Sequence, residues 1–195
     1  MTEADEIAGV PGDVPDEALV RAALRGHEAA FALLVRRYLR KGMSVALEWA
    51  STREDAEDIV QDTFRRMQEN LDRFDPERRF GPWFFTILRN TARNAAKRRR
   101  IRNHDPLLRS YASRAPGPFE ATRRRELQAG IDAAMERLPP MQRTCFRLCL
   151  VEGLTSGEAA DALGLAESTV RVHVYRARRT LGELLDRWRD EVEQP

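Results

Sequence analysis

Cysteine and histidine are scarce in this chain: Cys145 and Cys149, and His27, His104 and His173, among 195 residues. So few soft ligands leave no metal-ligand spacing to read, and neither a metal nor any other cofactor is expected. The two cysteines stand four apart in a helical pattern, where a disulfide is geometrically awkward. They read as small buried hydrophobes, with a redox pair, or a metal site that would need further ligands, as the lesser alternative. No apolar run approaches the roughly 18 residues needed to cross a bilayer. The opening MTEADEIAGVPGD is acidic and lacks an apolar core, so it does not resemble a signal peptide. A soluble, cytoplasmic protein without membrane association is expected. Glycine-rich phosphate loops and nucleophile–base arrangements are also missing, so no catalytic residue is expected. Strand-like alternation is absent throughout.

Charge is abundant but nearly balanced, 33 Lys and Arg against 31 Asp and Glu. Its distribution is uneven. Residues 48–77 hold ten acids and four bases, residues 89–102 hold seven bases and no acid, and residues 171–179 hold four arginines and no acid. One acidic and two basic regions point to several distinct partners.

Periodicity predicts an all-α protein of two small helical domains joined by a flexible linker, the second domain a helix–turn–helix. Residues 1–15, with Gly9, Pro11, Gly12 and Pro15, read as a flexible lead-in. A first domain spans 16–102. Within it Thr52 and Asp55 form a helix-start box, Asp75-Pro76 breaks a helix, and Phe80-Gly81-Pro82 opens another. That last helix should turn Trp83, Phe84, Ile87 and Leu88 inward and its basic run outward. Residues 103–119 carry three prolines, a glycine and two serines without periodicity, and read as the linker. The second domain spans 120–190. It is expected to hold helices at 120–138 and 141–151, a boxed start at Thr155 and Glu158, and a last helix from about Glu167 to Trp188.

The segment LTSGEAADALGLAESTVRVHVYRARRTL carries the helix–turn–helix pattern. Ala159, Ala160 and Leu163 should pack against Val170, Val174, Ala177 and Leu181. Arg171, His173, Tyr175, Arg176, Arg178 and Arg179 are left outward, where guanidinium groups can fork onto guanine edges or clamp phosphates. Ala166 stands where a Ser or Thr cap is usual, a loss of about 1 kcal/mol, which Glu167 offsets in part through the helix dipole.

The first half carries a second pattern: Ala56-Glu57-Asp58, Gln61 to Phe64, Phe74-Asp75-Pro76, Trp83 to Asn90, and the basic Lys97–Arg100. Nearly position for position it resembles region two of extracytoplasmic-function (ECF) sigma factors of the sigma-70 family. Leu138–Arg143 and the S-T-V…R-A-R-R-x-L ending resemble region four of the same family. The resemblance covers about residues 16–188, with both domains in the family's order.

The resemblance implies an alternative sigma factor whose partners are core RNA polymerase and promoter DNA. Glu57, Asp58, Gln61, Asp62 and Arg65 would dock on the polymerase, while Ile59, Val60 and Phe64 face the core. Asp75, Phe80, Asn90, Arg93, Asn94, Lys97 and Arg98 would hold the single-stranded −10 element. In that set the asparagines reach base edges and the cations follow phosphates. Phe80, before its helix and beside a glycine, is expected to be exposed for stacking, whereas Trp83 is expected in the core. The helix–turn–helix residues would meet the duplex −35 element. An anti-sigma protein is implied by the resemblance alone. Rival readings are a regulator that works without polymerase, against which residues 54–62 and the aromatic loop–helix stand, and a nucleic-acid hydrolase, for which no site is legible.

Overall fold

The computed structural model describes residues 14–103 and 130–193. Most of the expected lead-in, residues 104–119 of the expected linker, and the first ten residues of the expected 120–138 helix lie outside them. Every described element is helical, and the chain divides into two compact units.

The first unit contains α1 (Asp16–Leu24), α2 (Glu28–Ala46), α3 (Arg53–Glu69), a short 3-10 turn (Leu71–Arg73) and α4 (Phe80–Asn103). The start of α3 is the predicted capping box: Thr52 Oγ1 accepts from Asp55 N–H, and Asp55 returns the bond to Thr52 N–H, both at 3.0 Å. Burial pushes the Asp55 carboxyl up, but hydrogen bonds from Arg99 and Thr52, with the charge of Arg99, outweigh it and hold it below its ordinary value. Thr52→Ala removes one side of this box and should lower stability by about 1 kcal/mol, read from urea unfolding of the full chain.

Between the helices lies an aromatic core. Tyr38 packs against Phe80 and Phe84 at centroid distances of 5.0 and 4.7 Å, and Phe64 meets Phe84 at 5.5 Å. The Tyr38 hydroxyl donates to Asp16 Oδ2 at 2.7 Å, so the one polar atom of this ring is satisfied at the edge of the core. Gly42 lies inside α2, where glycine costs about 1 kcal/mol relative to alanine. A Cβ there would stand 3.1 Å from Phe84 Cζ, so its absence lets α4 come close. The first turn of α4 is tied to α1 by Phe80 N–H donating to Glu17 Oε1 at 2.9 Å.

The second unit contains α5 (described over 130–136), α6 (Pro140–Phe146), a π turn (Arg147–Val151), α7 (Ser156–Leu163) and α8 (Glu167–Glu193). The predicted single helix over 141–151 is therefore an α-helix followed by a wider turn, and α8 runs five residues past the expected Trp188. Ala134, Met135 and Leu138 are buried with Ala177 and Leu181, with Phe146 and Leu184 at the margin. Arg143 is buried and donates to the carbonyls of Glu136 and Leu138 at 3.2 and 3.0 Å. It thereby satisfies acceptors that the end of α5 leaves open.

Candidate nucleic-acid interface

The turn between α7 and α8 is built from three local devices. Thr155 and Glu158 form a reciprocal box at the start of α7, with bonds of 2.8 and 3.2 Å. Gly164 adopts φ +63°, a left-handed conformation that costs a side-chain-bearing residue about 1–2 kcal/mol. Leu165 N–H then reaches back to Ala160 O at 2.9 Å, closing α7 and turning the chain. Ala166 contributes no side-chain cap, and its carbonyl accepts from Thr169 and Val170 N–H at 2.9 and 3.2 Å.

Ala159, Ala160, Ala162 and Leu163 are buried, as are Val170, Ala177 and Leu181. Val174, expected in that stripe, is only half-buried. Arg171, Tyr175, Arg176, Arg178 and Arg179 are exposed, as expected. His173 departs from the expectation: it is half-buried, and its Nδ1 is enclosed without a hydrogen-bond partner among the described residues. A helix turns 100° per residue, so position 173 falls at the flank of the outward face rather than at its centre. Val172 was missed by the sequence reading and is exposed. The signal was present: it stands beside Arg171 and three residues before Tyr175 on the same face.

On α4, Asn90, Arg93, Asn94 and Lys97 are exposed at helical spacing and form one polar, basic strip. Arg98 departs from that strip. Its Nη2 lies 3.6 Å from Asp62 Oδ2 on α3, and Arg99 beside it pairs with Asp55 and donates to Ser51. Asp75 is exposed and shapes the loop before α4: its Oδ1 accepts from Glu77 N–H at 3.0 Å, and it faces Arg78 at 3.6 Å.

Phe80 is the largest correction. It is 0% exposed, wedged between Tyr38, Phe74 and Trp83, and is not available as a stacking platform in this structure. Trp83 is half-buried against Phe74 at 5.1 Å, closer to the core role expected of it.

The outer face of α3 carries Glu57, Asp58, Gln61 and Arg65 exposed and Asp62 half-buried, while Ile59 and Val60 are buried and Phe64 packs inward. Glu57 pairs with Arg53 at 2.8 Å, and Arg65 bridges Asp62 and Glu69 at 3.1 and 2.6 Å. The Arg65 hydrogen bond, acting against burial and helped by the Arg66 and Arg98 charges, holds the Asp62 carboxyl below its ordinary value. Asp58 and Gln61 make no hydrogen bond or ion pair among the described residues.

Both cysteines carry free thiols. Burial, with Cys149 nearby, pushes Cys145 up to about 12, and burial with the Glu158 charge raises Cys149. Cys145 is buried, as expected of a small hydrophobe, whereas Cys149 is only half-buried; raised thiols of this kind stay protonated near neutral pH. Among the described residues no group of three or more His, Cys, Asp or Glu is arranged to hold a metal. No described helix is long and apolar enough to cross a membrane.

Comparison with known proteins places both units. Residues 34–102 match Sigma-70 region 2, and residues 128–181 match Sigma-70, region 4. The RNA polymerase sigma factor NccH of Alcaligenes xylosoxydans xylosoxydans is 35% identical over 175 residues, covering 87% of this chain and 94% of the relative. The ECF RNA polymerase sigma-E factor of Haemophilus influenzae is 30% identical over 176 residues, covering 85% and 93%. The chain belongs to the ECF sigma factors of the sigma-70 family.

Solved sigma factors share its fold. A sigma factor from Bartonella quintana, crystallised with the anti-sigma factor NepR, is similar at a TM-score of 0.62 and 26% identity, covering 80% of this sigma factor and 96% of that chain. CnrH in complex with the cytosolic domain of CnrY is similar at a TM-score of 0.56 and 30% identity, covering 88% and 97%. In this sigma factor the region-two match ends within the basic end of α4, and the region-four match spans the helix–turn–helix through Leu181.

Proposed function

We propose that this sigma factor binds core RNA polymerase and directs it to promoters, where it supports −10 melting and the start of transcription. Asp58 and Gln61, with Glu57, Asp62 and Arg65, form the polymerase-docking strip on α3. Asn90, Arg93, Asn94 and Lys97 receive the separated −10 strand: the amides meet base edges and the cations meet phosphates. Arg98 joins them by exchanging Asp62 for a phosphate, and Asp75 holds the shape of the loop at the start of that path. Phe80 supports the path from beneath rather than stacking on a base. Arg171, Tyr175, Arg176, Arg178 and Arg179 on α8 engage the duplex −35 element, with His173 at the edge of that face.

One observation carries this reading: α3 and α4 belong to one helical unit but present strips of opposite character, mostly acidic on α3 and basic on α4. A mostly acidic strip suits a protein partner, because nucleic-acid phosphates would repel it, whereas the basic strip suits nucleic acid. Melting costs unstacking energy, which capture of the extruded strand returns.

The two domains, 16–102 and 120–190, act together through the 103–119 linker, so promoter spacing should matter. The RNA is made by the polymerase, and the sigma factor supplies no catalytic group. Its site of action is the cytoplasm, and an anti-sigma protein is its proposed regulator, by analogy with the Bartonella quintana sigma factor that is bound to the anti-sigma factor NepR.

The test is transcription in vitro with purified core polymerase and promoters from the same genome. Start-site-specific RNA that depends on adding this protein is the expected outcome. Tight duplex binding by the protein alone, with no specific RNA, would overturn the proposal in favour of a regulator that works without polymerase.

A further inference from the structure

α8 presents two apolar side chains to solvent within its arginine-rich half, Val172 at 45% and Tyr175 at 65% exposure. They are three residues apart and therefore neighbours on the helix surface. From Ser168 to Gly182 the helix has no Asp or Glu. Arg171 and Arg176 flank the pair, and Arg171 is aligned along the helix by Glu167 at 2.5 Å.

A β-branched residue is a poor choice for an exposed helix position. It loses side-chain freedom relative to Lys, Arg or Gln, and at 45% exposure it adds little to the core of its own unit. Buried Val170 and Ala177 already provide the packing on the inner face. Val172 is thus better explained by something that meets the outer face. In a helix–turn–helix, the early part of the second helix meets base edges in the major groove. Thymine is the base that offers an apolar group there, its C5 methyl.

We infer that Val172 is a specificity-determining residue that packs on the C5 methyl of a thymine in the −35 duplex, with the Tyr175 ring shielding the contact from water. Arg176 lies four residues on, about 5–6 Å away at Cβ. With base pairs about 3.4 Å apart, it reaches a guanine about one or two steps from that thymine. This inference rests on α8 as the −35 helix and adds the base chemistry it requires. A protein partner covering Val172 is the competing explanation, and it predicts no dependence on a thymine methyl.

The experiment uses the full chain bound to core polymerase and duplexes selected from a pool randomised at the −35 position. Each thymine of the enriched sequence is then replaced by deoxyuridine, which removes only the methyl. At one thymine beside or near a guanine, the wild-type complex should lose about fourfold in affinity, the worth of one buried methyl. Val172→Ala, at an exposed position that leaves the fold intact, should bind the thymine and uracil duplexes about equally. The pairing of protein and DNA changes is a double-mutant cycle, so it isolates this contact from general weakening. An enriched sequence with no methyl-sensitive thymine, or undiminished methyl sensitivity in Val172→Ala, would overturn the inference and leave −35 recognition standing. If no duplex is enriched at all, −35 recognition by α8 falls along with it.

Discussion

Replacing Asp58 and Gln61 together by arginine is expected to reduce promoter-directed RNA by at least about 30-fold, the usual consequence of disrupting a charged, desolvated interface contact. Both side chains are exposed on α3 and have no partner among the described residues, so the change breaks no contact among them. Arginine is also a good helix former, and α3 keeps its capping box. The thermal midpoint should therefore stay close to that of the wild type while binding to core polymerase is lost. The neighbouring acids are less suitable probes. Asp62 is engaged with Arg65, Arg66 and Arg98, and Glu57 with Arg53, so their replacement also alters contacts within the unit. Co-purification with core polymerase and transcription measured side by side give the answer. Wild-type levels of both in the double variant would move the docking surface off α3.

Phe80→Ala is expected to destabilise the first unit by about 3–5 kcal/mol, the cost of emptying a fully buried aromatic site. Few single domains have much more than about 5–15 kcal/mol to lose. Its ring is enclosed by Tyr38, Phe74 and Trp83, and its backbone N–H holds Glu17. Binding of single-stranded −10 DNA should weaken with it, through loss of the surface that α4 presents. Phe80→Leu separates the two roles. It keeps most of the apolar volume, so the unfolding midpoint should largely recover and DNA binding with it. If Phe80→Leu folded normally but failed to bind single-stranded DNA, the ring would be shown to reach a base after all.

The fate of Phe80 shows where sequence reasoning stopped. A phenylalanine before Gly-Pro, after a charged loop, looks like a residue at a surface corner. Its burial depends on Glu17, 63 residues earlier, and on Tyr38 in another helix, which no local pattern encodes. Arg98 repeats the lesson. In sequence it is one cation in a basic run, but in space it faces Asp62 across the α3–α4 contact. For His173 the shortfall is smaller and comes from treating the outward face as a block rather than as an arc.

The sequence by itself determined what is local or periodic. The boxes at Thr52–Asp55 and Thr155–Glu158, the turn at Gly164, the inward Ile59, Val60 and Phe84, and the outward arginines of α8 all depend on neighbours within about one helical turn. Family membership was legible for the same reason, since its marks are short runs in a set order. Only the tertiary structure decided which side chain near a helix end is core and which cation is held by an acid of another helix. Those outcomes depend on approach between segments far apart in the chain, such as α2 closing on Phe84 where Gly42 has no Cβ. Helix period states which face an apolar residue takes, but not what lies across from it.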